Sequence, residues 1–350
     1  MQASQPSISL INGARTFSGI GRYAKDTFDA LENRALLISL AFSREDFESG
    51  LPGLVMKGIY PPITSGWFIN TKLQALIFRN IVDFYKNHVV GKKIVHYVDP
   101  YVFPFLNSDK KIVSILDVIP LSDNSWAPPA WIKYARKCLN AHLRTEFIIT
   151  CSNKVKKEIE ETGFAGKIDV VYPYVNDKLK LAIPKNTAKK SLGLPEDKFI
   201  VLSISSASQR KNLTIIKEVV EKLGERFMLV RVGSNIGKGI NFEHVDDGTL
   251  NKIYRAADVL LFPTLDEGFG YPIVEAMANG LPVVTTDLEI TREVSRGAVI
   301  LSEPTVESYV TSIRDALDNA QLLSSTSLEA SKWYTREKYI KALLKVYDEV

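Results

Sequence analysis

Short apolar, β-branched runs alternate with helical patterns along almost the whole chain, and that alternation leaves few folds open. A strand that reaches its parallel neighbour through a helix must cross over the sheet, so repeated units of this kind build parallel sheets covered by helices on both faces. Strand-like runs fall at 7–11, 36–40, 94–97, 111–116, 147–150 and 169–172, and again at 199–204, 227–232, 259–262, 282–285 and 299–301. Two such sets in succession predict two α/β domains, each built on a doubly wound parallel sheet. Length supports the division, because 350 residues exceed what a single hydrophobic core usually organises.

Residues 173–184 carry a proline at each end and lack clear periodicity, so the boundary is placed there. The expected domains are 1–178 and 179–332. A last helix over 333–350 places Tyr339, Leu343, Val346 and Tyr347 at helical spacing and should pack on another element. Residues 67–86 carry a second helical stripe, Ile69, Leu73, Leu76, Ile77, Ile81 and Phe84, read as core packing in preference to an exposed acceptor or membrane face.

Composition excludes several classes. The hydrophobic share of 45% and charged share of 24% suit a packed globular chain and not a disordered one. Cys138 and Cys151 stand without a Cys-x-x-Cys, which argues against a disulfide framework or zinc site. The start, Met1-Gln-Ala-Ser-Gln-Pro-Ser, lacks the basic and apolar regions of a signal peptide, and no run reaches 18 apolar residues. A reduced, cytoplasmic protein is the expectation. Net charge is +6 over residues 1–180 and −2 over 181–350. The basic half, with Lys92-Lys93, Lys110-Lys111 and Arg136-Lys137, could meet the inner face of an anionic membrane or a phosphate-bearing acceptor, or be an ordinary solvated surface.

The most informative stretch runs from Ala257 to Gly280, Ala-Asp-Val-Leu-Leu-Phe-Pro-Thr-Leu-Asp-Glu-Gly-Phe-Gly-Tyr-Pro-Ile-Val-Glu-Ala-Met-Ala-Asn-Gly. It reads as a buried strand, a glycine-rich loop and a short helix, with Pro272 suited to the first helical position and Gly280 to the left-handed residue ending it. Such a helix points unpaired N–H groups at the carboxyl end of the sheet, where anions are stabilised. Glu267 and Glu275 lie eight positions apart, at different depths, and can accept hydrogen bonds from different hydroxyls of one ligand.

This stretch resembles the Glu-x7-Glu signature of retaining glycosyltransferases of family 4, whose fold is GT-B: two Rossmann-like domains facing across a cleft. The resemblance extends to Ser203-Ile-Ser-Ser-Ala-Ser-Gln-Arg-Lys-Asn-Leu213, which is similar to the family's stretch after the first strand of the second domain. It also extends to Ser18-Gly-Ile-Gly-Arg-Tyr-Ala24, similar to the glycine loop of the first. The latter fits a Gly-x-Gly-x-x-Ala dinucleotide fingerprint as well. Against that rival, six residues separate Asn12 from Gly19, and 36–40 leads into Ala41-Phe42-Ser43 without a ribose-binding carboxylate.

The resemblance implies transfer of a hexose from a GDP- or UDP-linked sugar to a glycan or lipid-linked acceptor, with retention at the anomeric carbon. It gives Arg210 and Lys211 the diphosphate, Glu267 the transferred sugar, Glu275 the ribose, and Phe269, Gly270 and Tyr271 backbone N–H groups toward the donor. Gly19, Gly21, His96 and Asp117 fall on the acceptor side of the cleft. Where the family commonly has His-Asp, this chain has Leu116-Asp117, which leaves the contacts to the donor sugar open. No Asp-x-Asp motif occurs, and a cationic pair can neutralise a diphosphate, so no metal is expected. A non-catalytic nucleotide-sugar-binding subunit, or an epimerase or phosphorylase of similar architecture, are the alternatives.

Overall fold

The computed structural model of the protein describes residues 7–14, 18–41, 54–57, 94–102, 104, 110–122 and 128–350. The stripe over 67–86 and the pair Lys92-Lys93 lie outside these residues. The chain divides into two compact units, residues 1–173 with 339–350, and residues 174–338. The breaks fall at Tyr174 and Tyr339, against the expected 179 and 333. Backbone bonding explains the shift: Val175 N–H donates to the Tyr334 carbonyl at 3.1 Å, and the Tyr334 hydroxyl to the Val294 carbonyl at 2.7 Å. Both connecting segments are thereby held on the second unit.

In the first unit, strands β1 (Ile8–Asn12), β2 (Ala35–Ala41), β3 (Leu54–Lys57), β4 (Ile94–Tyr97), β5 (Lys111–Ile115), β6 (Phe147–Thr150) and β7 (Lys167–Val170) form a parallel sheet. Their order is β3-β2-β1-β4-β5-β6-β7. In the second, β8 (Phe199–Ser205), β9 (Phe227–Gly233), β10 (Ile240–Phe242), β11 (Val259–Phe262), β12 (Val283–Thr286) and β13 (Ile300–Ser302) follow the order β10-β9-β8-β11-β12-β13, again all parallel. Eleven of these strands coincide, within a few residues, with the runs read from sequence. The two that do not, β3 and β10, are edge strands. The other two edge strands, β7 and β13, were read from sequence, so edge position alone does not separate the two that were missed; both of those follow directly on a glycine, Gly53 and Gly239, and are only four and three residues long.

Helix starts follow from capping chemistry. Ser152 accepts from Val155 N–H at 3.2 Å and Asp246 from Thr249 N–H at 2.9 Å, each satisfying an N–H that the first helical turn leaves over. One core layer of the second unit packs Val201, Leu229, Val259 and Leu261 of the sheet against Ile216, Val219, Val220 and Ile313 of two helices. These side chains alternate along the strands with those of the opposite face, which is why the strands read as continuous apolar runs.

The helix Arg336–Glu349 buries Tyr339, Leu343, Val346 and Tyr347. Its tyrosines are hydrogen-bonded inside the first unit: Tyr339 to Thr27 at 2.6 Å, and Tyr347 to His96 Nδ1 at 2.7 Å. Among the described residues no helix is long and apolar enough to cross a membrane.

Candidate active site

In a doubly wound sheet the loops at the carboxyl ends of two neighbouring strands part wherever the chain winds outward in both directions, and ligands settle in the crevice left between them. In the second unit that point lies between β8 and β11. From β8 the helix Leu213–Leu223 leads to β9 on one side; from β11 the helix Tyr271–Ala278 leads to β12 on the other. The loop after β8 carries Arg210 and Lys211 in a single helical turn, Gln209–Lys211. The loop after β11 carries Glu267.

The two loops meet. Arg210 Nη1 donates to Glu267 Oε2 at 2.9 Å and to the Asp266 carbonyl at 2.7 Å, and Lys211 Nζ pairs with Glu267 Oε1. Backbone bonding seals the junction, with Leu265 N–H donating to the Arg210 carbonyl at 2.7 Å. Thr264 adds its hydroxyl to Glu267 Oε1 at 3.0 Å, and Lys211 also lies 5.3 Å from the centre of the Phe262 ring. Glu267 is 6% exposed. Burial by itself raises a carboxyl pKa, but the Lys211 ammonium and Arg210 guanidinium outweigh it and hold this one at about 2.

A pH dependence follows. The ionised carboxylate is favoured in the folded state, so its stabilisation is full above the ordinary carboxyl range near 4.5 and drains away as pH falls toward about 2. Thermal unfolding should therefore lose stability on acidification through that window, and Glu267→Gln should flatten the loss. An unchanged acid slope in the variant would count against the ion-pair assignment.

Glu275 lies deeper, 2% exposed, and its Oε2 accepts from the Tyr254 hydroxyl at 2.6 Å. The helix holding it begins at Tyr271, so Pro272 takes the second helical position and not the expected first, while Gly280 has the expected left-handed backbone at φ +64°. Gly270, also left-handed, caps its start. Phe269 is buried edge-on against both Tyr271 and Tyr334, with ring centres 5.4 and 5.7 Å apart. Its side chain is thus packing, and only its main chain is available for a ligand.

The first unit has a switch point of its own, between β1 and β4. Here Asp99, unmarked as an individual residue by sequence reasoning, accepts from Gly13 N–H at 3.2 Å and Tyr101 N–H at 2.9 Å and ties the two loops together. Burial raises its pKa to about 6 against those two bonds. Tyr101 in turn donates to half-buried Asp117 at 3.1 Å. Gly19 is exposed at the start of the helix Gly19–Leu31, where an added Cβ would meet none of the described residues within 4 Å, and Gly21 is buried and bonded to the Ser18 side chain at 3.0 Å.

His96 requires correction. Expected on the acceptor side, it is fully buried in the core instead, with Nε2 on Ser114 Oγ and Nδ1 on Tyr347, each at 2.7 Å. Burial lowers its pKa to about 3, so it is a neutral core link between β4 and the last helix. Leu116, in the position where a His is common, is also buried.

The architecture is that of the GT-B fold. It superposes on sucrose-phosphate synthase from Thermosynechococcus elongatus with a TM-score of 0.78, at 18% identity and covering 99% of this chain and 98% of that one. HepE of Anabaena, solved in complex with UDP and glucose, matches with a TM-score of 0.77 at 15% identity, over 98% and 99% of the two chains. Residues 184–333 match the model of the family glycosyl transferases group 1. They span the crevice between β8 and β11 with every residue assigned to it.

Among curated proteins, the O-antigen chain mannosyltransferase RfbU of Salmonella typhimurium is 23% identical over 188 residues, 48% of this chain and 53% of that protein. A D-inositol 3-phosphate glycosyltransferase of Mycobacterium tuberculosis is 31% identical over 140 residues, 34% and 28% of the two. The chain thus spans about half the length, or less, of the curated relatives it matches.

Proposed function

We propose that the protein is a retaining glycosyltransferase that transfers a hexose from a GDP- or UDP-linked donor to a glycan or lipid-linked acceptor. The observation that carries this reading is the meeting of Arg210, Lys211 and Glu267 at the switch point of the second sheet. When the bond between the anomeric carbon and the phosphate oxygen breaks, the departing diphosphate gains negative charge, and fixed cations stabilise it without having to reorganise. Arg210 and Lys211 take that role. Glu267 holds hydroxyls of the transferred sugar beside them, and Glu275, steadied by Tyr254, accepts from the ribose. Main-chain N–H groups of Phe269, Gly270 and Tyr271, at the start of a helix, complete the anion's surroundings.

Retention is consistent with a front-face displacement, in which the acceptor oxygen approaches on the side the phosphate leaves and a phosphate oxygen takes the acceptor's proton. This demands positioning and charge stabilisation more than a protein nucleophile. Asp117 and the loop at Gly19 and Gly21 belong to the acceptor side in this reading, on a cytoplasmic protein with peripheral contact to an anionic membrane. The cationic pair makes a divalent metal unnecessary.

A calorimetric screen of UDP-, GDP- and ADP-sugars tests the reading. Binding of one diphosphate sugar is expected, followed by nucleotide release that depends on an acceptor and survives EDTA. Absence of binding by all three removes the proposal, and loss of activity in EDTA removes its metal-free form.

A further inference from the structure

The largest fully buried side chain among the described residues is a cation, Arg231. It stands on β9, opposite Ser203 of β8. Its guanidinium donates to the Ser234 carbonyl at 2.6 Å, the Ser205 carbonyl at 2.7 Å, Ser203 Oγ at 3.0 Å and Ser205 Oγ at 3.2 Å. All four acceptors are neutral. No ion pair to Arg231 occurs within 4.0 Å among the described residues, whereas Arg210 and Lys211 both have one in Glu267. Burial lowers its pKa only to about 10, so it remains cationic at neutral pH.

A buried charge held by dipoles alone is costly, and buried charges are ordinarily paired. A hydrophobic residue would fill the same space at lower cost. Location supplies a reason for the charge: Ser205 ends β8 and Ser234 follows β9, so the guanidinium sits at the carboxyl edge of the sheet, bonded to the residue from which the loop to Arg210 sets out. Arg210, Lys211 and Glu267 together carry one positive charge. With the ribose-side Glu275 left out of that count, Arg231 adds a second positive charge at the phosphate end, where a nucleoside diphosphate ester carries two negative ones. The β9 residue two positions on is Gly233, whose added Cβ would stand 2.2 Å from the Ser205 carbonyl oxygen, so the backbone is shaped to let that carbonyl come in.

We propose that Arg231 is a positioning residue for the donor's diphosphate: it supplies the second net positive charge and fixes the β8 loop that presents Arg210 and Lys211. The inference rests on the nucleotide-sugar reading above. It predicts a dependence on phosphate that a purely structural arginine would not show, because packing alone would affect nucleoside and nucleotide alike.

The test compares Arg231→Gln, neutral and hydrogen-bonding, with Arg231→Lys, which keeps the charge. Calorimetry measures UDP or GDP, whichever the unaltered chain binds, with its monophosphate and its nucleoside. Arg231→Gln is expected to weaken diphosphate binding at least about tenfold, monophosphate binding less, and nucleoside binding less than about twofold; Arg231→Lys should stay within about threefold for all. Equal losses across the three ligands, or equal behaviour of the two variants, would overturn the inference. Should the glutamine variant not fold, the lysine variant decides, since a diphosphate loss beyond about tenfold with the charge retained overturns it too. If the unaltered chain binds neither nucleotide, it is the glycosyltransferase reading that fails, a result distinct from the others.

Discussion

Lys211→Ala is expected to lower sugar transfer by about a hundredfold to a thousandfold, the usual loss when one fixed group stabilising a developing anion is removed. The fold should survive, because Arg210 still pairs with Glu267 and the backbone bond from Leu265 to Arg210 is untouched. Glu267→Gln should reduce transfer on a similar scale for a different reason. Its carboxylate competes with the donor for the two cations, so removing the charge frees them for phosphate while taking an acceptor away from the sugar. The expected signature is a falling kcat with nucleoside diphosphate affinity held or improved, whereas Lys211→Ala weakens both. Steady-state nucleotide release, read beside melting temperature, separates the two. Full activity in both variants would sink the site assignment.

Gly233→Ala should have the largest effect on stability. Gly233 sits at φ +115°, outside what L side chains adopt comfortably, and its Cβ would fall 2.2 Å from a backbone oxygen that cannot swing aside. Strain of this kind combined with overpacking costs about 3 kcal/mol. That oxygen also accepts from Arg231, so the β8 and β9 ends must separate and the guanidinium lose a partner. Chemical denaturation is expected to show a markedly lower midpoint, with nucleotide binding weakened in the molecules that remain folded. A loss of only about a few tenths of a kcal/mol in unfolding free energy would mean that the strands move apart easily.

Interior strands were legible because a strand covered on both faces has to be apolar throughout, a pattern that survives in the one-dimensional chain. Leu54–Lys57 and Ile240–Phe242 escaped because each is a run of only four or three residues directly after a glycine, which local pattern reads as loop. Among the site residues, Arg210, Lys211, Glu267 and Glu275 were readable as motifs. Their contacts were not: the sequence assigned the cations and Glu267 to different parts of one ligand, while the fold brings them into direct ion pairs. Tyr254 lies outside every motif and Thr264 sits inside the 257–280 stretch without a role read for it; both gain their roles only through the helix and turn that aim them at the two glutamates. The place of His96 was not legible, because a histidine beside an aromatic-rich loop looks alike whether it faces a ligand or a tyrosine arriving from the far end of the chain.

That late arrival has a consequence for how the protein is made. The first unit is interrupted by all of Tyr174–Lys338 and is completed only by Tyr339–Val350. On the ribosome, at about 5–20 residues per second, the first sheet waits on the order of ten seconds or more for the segment that supplies Tyr339, Leu343, Val346 and Tyr347 to its core. Throughout that interval His96 lacks its tyrosine and an apolar seam lies open. The second unit, continuous in sequence, can finish folding first, so chaperone demand during synthesis should fall on the half of the protein that emerges earliest.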